Sequence, residues 1–101
     1  MARSKFVVMV NATAGEDAEF NRWYDEQHLA DVCAIPGVVS AERFSLVAGL
    51  TTFRYLTIYD FDTDDPEAVL AEIGRRSGTG QMPLSPALDT ENVYMGVFSP
   101  A

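Results

Sequence analysis

The chain contains one cysteine, one histidine and one tryptophan: Cys33, His28 and Trp23. A lone cysteine forms no disulfide within the chain, which agrees with a reducing compartment and makes the cytoplasm the expected location. No second histidine is available to activate Cys33 as a nucleophile. One histidine and scattered carboxylates do not make a zinc site or a facial triad, so no metal is expected. Cations are also scarce. Seven Lys and Arg stand against fifteen Asp and Glu, a net charge of −8. Nucleic acid and anionic membrane surfaces need clustered positive charge, so neither is an expected partner. No apolar run approaches the roughly 20 residues of a membrane span. The opening residues include Arg3 and Lys5, but their apolar run breaks at Asn11, too short for the core of a signal peptide. Gly74 to Gly80 (GRRSGTG) has glycines, two arginines and a serine. It lacks the spacing of a P-loop or dinucleotide fingerprint and reads as a mobile loop.

What remains is 101 residues with 48% hydrophobic content, enough for one domain spanning residues 1–101. A chain of this size buries roughly 60–70% of its unfolded surface, so its stability margin is thin and oligomerisation would help. Phe6 to Val10 (FVVMV) is a β-branched apolar run that predicts a central strand. Thr13 and Glu16 have the spacing of a capping box, with Thr13 as N-cap of a helix running to about Ala34. Ile35-Pro36-Gly37 ends it. Val38 to Leu46 and Phe53 to Phe61 predict two strands joined by a hairpin loop around Gly49. Asp65-Pro66 supplies the cap and first turn of a short helix to about Arg76. Ser77 to Asp89 is loop-like and is a candidate lid over the helix-side cavity; Asn92 to Phe98 is the last strand.

The order is β-α-β-β-α-β. That is the α+β, ferredoxin-like arrangement, an antiparallel four-stranded sheet with both helices on one face. The strands carry Val, Tyr and Phe on both sides, so the second face is expected to be apolar as well. Dimerisation through that sheet face is the simplest cover for it.

Glu19 to Gly37 (EFNRWYDEQHLADVCAIPG) is the stretch with chemistry in it. At about 100° per residue, Phe20, Trp23, Tyr24, Ala34 and Ile35 share one face. Gln27 and Asp31 fall in the middle of that face, and His28 sits on its flank beside Tyr24. Cys33 and Leu29 point away from it. Polar groups laid against a packing surface meet either a hydrogen-bonded seam or a cavity, because each one left unpaired costs roughly 1–3 kcal/mol. His28 titrates near neutrality, which suits a general acid or base, with Asp31 or Asp25 to orient it and Tyr24 as hydrogen-bond donor. Equally, His28 and Asp31 can be structural, bonded to local backbone. Trp23, Gln27, Tyr55, Tyr59 and Asn11 are candidate ligand contacts. Core packing is the competing role for Trp23 and Tyr24, and helix capping for Asn11. Periodicity alone does not say which sheet face carries Tyr55 and Tyr59.

The run Glu19-Phe-Asn-Arg-Trp-Tyr-Asp-Glu-Gln-His-Leu-Ala-Asp, followed by Ile35-Pro-Gly-Val-Val-Ser-Ala-Glu-Arg-Phe, resembles the EthD-like branch of the dimeric α+β barrel superfamily. The likeness spans residues 6 to 61; beyond them only the order of elements matches. Ala30 stands where the family pattern often has proline. The resemblance implies a homodimer whose sheets close a barrel, with a cavity between each sheet and its own helices. It also implies a small cofactor-independent enzyme of isomerase, cyclase or lyase type acting on a hydrophobic or aromatic small molecule. A non-enzymatic binding protein on the same scaffold is the alternative, and haem on His28 is a further option, since relatives use a single histidine.

Overall fold

The structure, a computed structural model, describes residues 3–101. Its elements are β1 (Arg3–Val10), α1 (Asp17–Trp23), a π-helical turn (Tyr24–His28), α2 (Leu29–Cys33), β2 (Val38–Ser45), β3 (Tyr55–Asp62), α3 (Pro66–Arg76) and β4 (Tyr94–Phe98). The strands form one sheet in the order β2-β3-β1-β4, with every neighbouring pair antiparallel. This is the expected ferredoxin-like fold. The apolar run of β1 lies in the sheet interior, between β3 and β4.

Strand alternation sorts the two faces. Phe6, Val8 and Val10 of β1 and Thr57, Tyr59 and Phe61 of β3 are buried on the helix side. Tyr55 and Tyr59 therefore face the helices. Phe6 anchors this layer, its ring 5.6 Å from Tyr59 and 5.5 Å from Phe61. On β2 the register shifts between Val38 and Ser40. The bulge leaves Ala41 and Arg43 opposite Tyr59 and Thr57, on the helix side. The opposite face carries Val7, Met9, Leu56 and Ile58 in its middle and is open in the single chain. Phe44, Tyr94 and Phe98 stand 42%, 57% and 53% exposed there.

Asp65 caps α3 as its sequence predicts, its carboxylate accepting from the Ala68 amide at 3.1 Å. Thr13 does not cap the first helix. The helix begins at Asp17 with no side-chain cap. The Thr13 hydroxyl donates instead to the Pro86 carbonyl at 2.9 Å, and its amide to the Ala87 carbonyl at 2.7 Å. The loop before β4 has taken the groups that a capping box would use. After the first helix the chain turns at Gly37, where φ is +100° and a Cβ would lie 2.8 Å from the Val69 methyl. Glycine fits there on both counts.

Candidate active site

The first helix does not keep one pitch. Tyr24–His28 is a π turn, which holds an extra residue relative to an α turn and delays every later side chain around the axis. The delay rearranges the face expected from ideal periodicity. Gln27, expected at its centre, is exposed, and so is Ala34. Val32 is buried, and Leu29 and Cys33, which point away in an ideal helix, pack against the core. His28 turns inward.

Between this helix and the sheet lies a cavity of about 230 Å³. Phe6, Val8 and Tyr59 form its floor, and Tyr24, His28 and Val32 its wall. Ile73 and Ser77 close one side, and Leu84, Leu88, Thr90 and Val93 cover it from the loop before β4. That loop is pinned, not loose. Met82 is fully buried, the Gly78 amide donates to the Met82 carbonyl, and the Asp89 amide donates to Asn11. Arg75 and Arg76 both bond Glu72, so Gly74 to Gly80 presents no phosphate cradle.

His28 stacks on Trp23, centroids 4.6 Å apart, and meets the Tyr24 ring edge-on at 4.9 Å. Its Nδ1 is buried with no hydrogen-bond partner among the described residues. Burial, with a smaller push from the positive charge of Arg43, lowers its pKa to about 4. The ring is therefore neutral at pH 7. Neither of the two candidate carboxylates, Asp31 and Asp25, hydrogen-bonds to this Nδ1. Asp25 pairs with Arg43 at 2.8 Å, and one Asp31 oxygen is buried without a partner of its own. Across the cavity wall the Tyr24 and Tyr59 hydroxyls share a buried hydrogen bond of 3.1 Å. Burial raises both phenol pKa values, and Tyr24 raises that of Tyr59 further, so both remain protonated. Two hydroxyl protons serve one mutual bond, which leaves the other proton for Thr57 or for a ligand oxygen.

The depressed His28 pKa makes stability depend on pH in a defined window. Above the unfolded-state pKa of roughly 6.5 the contribution is complete. Between there and about 4 the unfolded chain binds a proton that the folded chain refuses, so stability falls with pH. The loss integrates to about 3 kcal/mol. Urea denaturation from pH 7 to pH 4 should show this loss, and His28→Gln should flatten the curve. An unchanged curve would mean that His28 is hydrated.

The remaining candidates lie elsewhere. The Tyr55 hydroxyl donates to Asp17 at 2.6 Å and accepts from Asn21 at 3.3 Å, outside the cavity. Asn11 caps neither helix nor cavity. Its carbonyl accepts from the Arg54 amide, and its amide donates to the Thr52 carbonyl, holding the approach to β3. Trp23 lies beneath His28, and its Nε1 donates to the Pro83 carbonyl at 3.3 Å, tying helix to lid. Arg43 was not among the candidates. Its side chain is 14% exposed, and its guanidinium lies 4.4 Å from the Tyr24 ring centroid. The available signal was a charge on the same strand side as Val39 and Ala41.

No protein-family model matches the chain, and no curated protein matches it in sequence. Solved structures do match in shape. MhuD from Mycobacterium tuberculosis, a heme-degrader with two hemes bound in its active site, aligns with a TM-score of 0.67 at 16% identity, over 96% of this chain and 94% of that one. SnoaB from Streptomyces nogalater, a cofactor-independent oxygenase, aligns with a TM-score of 0.63 at 21% identity, over 99% and 94%. An EthD family protein from Bacillus halodurans aligns with a TM-score of 0.57 at 13% identity, over 98% and 99%. The chain shares its ferredoxin-like α+β fold with these proteins and with a DABB family protein from Mesorhizobium loti (TM-score 0.66, 14% identity, over 100% and 99%).

Proposed function

We propose that the chain is a cofactor-independent enzyme that moves a proton on a compact hydrophobic or aromatic substrate in the His28 cavity. One observation carries this reading. A neutral, half-buried imidazole whose Nδ1 is buried and unpaired borders an apolar cavity, and the hydrogen-bonded Tyr24 and Tyr59 line the same cavity. An unmet buried polar atom costs about 1–3 kcal/mol, and its retention suits a group that meets a ligand. In the proposed step His28 takes a proton from an acidic C–H or O–H of the substrate. Burial disfavours the imidazolium, so the proton is readily returned at another position. Tyr24 or Tyr59 donates a hydrogen bond to the oxygen that carries the transient negative charge. The net change is an isomerisation, a cyclisation or the loss of a leaving group, with no electron acceptor required.

The fold's relatives raise the question of haem. His28 is a suitable nitrogen donor, but no Lys or Arg among the described residues lines the cavity to meet propionates. At about 230 Å³ the space also lies below the roughly 300–1,000 Å³ of typical ligand pockets. The cavity does not suit haem, and no step runs through it. A second reading, a non-enzymatic binding protein, is favoured by the apolar lining and by the weak basicity of an imidazole with a pKa of about 4.

Deuterium exchange separates the two. The protein is incubated in D2O with a panel of small cyclic ketones and substituted phenols, and label incorporation is followed by NMR. Accelerated exchange at one panel member, reduced at least 100-fold by His28→Ala, is the expected result. Full exchange in that variant would reject His28 as the base. Binding without exchange would favour the second reading. We further propose a homodimer closed through the open sheet face. No helix among the described residues is long and apolar enough to cross a membrane. The free Cys33 supports a cytoplasmic site of action.

A further inference from the structure

We propose that Arg43 is a positioning residue for this site, a fixed positive charge behind Tyr24 that favours ligands developing negative charge on oxygen. The inference rests on the proposed proton-transfer function and names its substrate class, compounds that form an enolate or a phenolate. The geometry is specific. The guanidinium lies 4.4 Å from the Tyr24 centroid, 5.5 Å from Phe20 and 5.8 Å from Tyr55, so three aromatic rings surround it. One terminal nitrogen donates to Asp25 at 2.8 Å and the other to Asn21 at 2.9 Å. Both acceptors lie on the first helix, Asn21 before the π turn and Asp25 within it. Arg43 thus ties β2 across the place where the helix changes pitch, and holds the Tyr24 ring against the cavity wall.

The charge is only partly cancelled. Asp25 is 61% exposed, so water screens its carboxylate, whereas Arg43 is 14% exposed. The buried guanidinium Nε has no partner among the described residues. A cation over the face of an aromatic ring withdraws electron density from it and makes its hydroxyl a stronger donor. The same charge opposes protonation of His28, in agreement with the direction of its shift. The titratable and charged groups around His28 are Tyr24 and Asp31 on its own helix, Tyr59 on β3 and Arg43 on β2. From α3 and the lid the cavity receives Ser77 and Thr90, which do not titrate in this range.

The test is NMR titration of His28, the only histidine, in the wild-type protein, Arg43→Gln and Arg43→Lys. Arg43→Gln keeps an amide to meet Asp25 or Asn21 and loses the charge. Its His28 midpoint should rise by about one pH unit, the size expected of a partly screened charge on the far side of the Tyr24 ring. Arg43→Lys should restore most of the wild-type value. In the exchange assay Arg43→Gln should lower kcat with little change in KM. A His28 midpoint that does not move in Arg43→Gln overturns the inference. Should Arg43→Gln fail to fold, Asp25→Asn decides, since Asp25 is exposed. Removing that counter-charge should move the midpoint down, and an unmoved midpoint overturns the inference. The two proposals fail separately. Exchange that survives His28→Ala rejects the reaction, whereas an unmoved titration rejects the role of Arg43.

Discussion

Phe20→Ala is expected to cost about 3–5 kcal/mol of folding stability. Phe20 has no exposed surface and lies three residues before Trp23, on the face of the helix that meets the sheet. Its ring centroid is 4.9 Å from that of Tyr55, 5.5 Å from Tyr24 and 6.2 Å from Trp23, and Arg43 lies 5.5 Å from it. Truncation removes the transfer free energy of the ring and leaves a hole lined by four large side chains. None of these collapses easily, because Tyr55 is held by Asp17 and Asn21, Tyr24 by Tyr59, and Arg43 by Asp25. A domain with roughly 5–15 kcal/mol in total then loses a large share of it. Urea denaturation of Phe20→Ala beside Leu50→Ala measures the contrast. Leu50 is fully exposed, and its truncation should stay within about 0.5 kcal/mol. A Phe20→Ala loss under about 1 kcal/mol would show that the helix does not depend on this ring.

The sequence was most legible where the signal was local. The β-branched run of β1, the Asp65-Pro66 start of α3 and the stop at Gly37 each state their own structure in a few residues. The signal was least reliable where a local pattern had a distant competitor. Thr13 and Glu16 match a capping box in spacing, but the Pro86 and Ala87 carbonyls take the Thr13 hydroxyl and amide. Asn11 looked like a helix cap and instead holds the approach to β3. Neither competitor is visible from its neighbours in sequence.

The site shows the same division. His28 and Tyr24 do border one cavity, and the side chains between them and α2 are misplaced only because periodicity assumes a uniform pitch. The π turn was foreshadowed in one respect. Leu29 and Cys33 are apolar yet fall off the packing face at ideal geometry, and an extra residue in the turn brings both back to the core. Gln27 leaves the face for the same reason. Asp25, one of the two carboxylates offered beside His28, is claimed by Arg43, which comes from a strand eighteen residues further on. The enclosure of Arg43 by Phe20, Tyr24 and Tyr55 depends on that pairing of helix and sheet.

Ile58→Asp is expected to convert the protein from a dimer to a folded monomer. Ile58 lies on the open face of β3, opposite Val7 on β1 and Glu42 on β2, with Leu56 and Met9 adjoining. Large apolar side chains at the margins, Phe44, Tyr94 and Phe98, are 42–57% exposed in the single chain. If two such faces meet, a carboxylate at position 58 enters an apolar layer in each protomer. Burying an unpaired ion there costs several kcal/mol, and the symmetric contact counts it twice. Aspartate is the better choice than lysine, because lysine would pair with Glu42 across the strand whereas aspartate repels it. Sedimentation at micromolar concentration should give twice the 11.1 kDa chain mass for the wild-type protein and 11.1 kDa for the variant. A wild-type monomer would refute the dimer. The His28 cavity lies on the other side of the sheet. The Ile58→Asp monomer should therefore keep a His28 midpoint near 4, whereas a variant that had merely unfolded would titrate near 6.5.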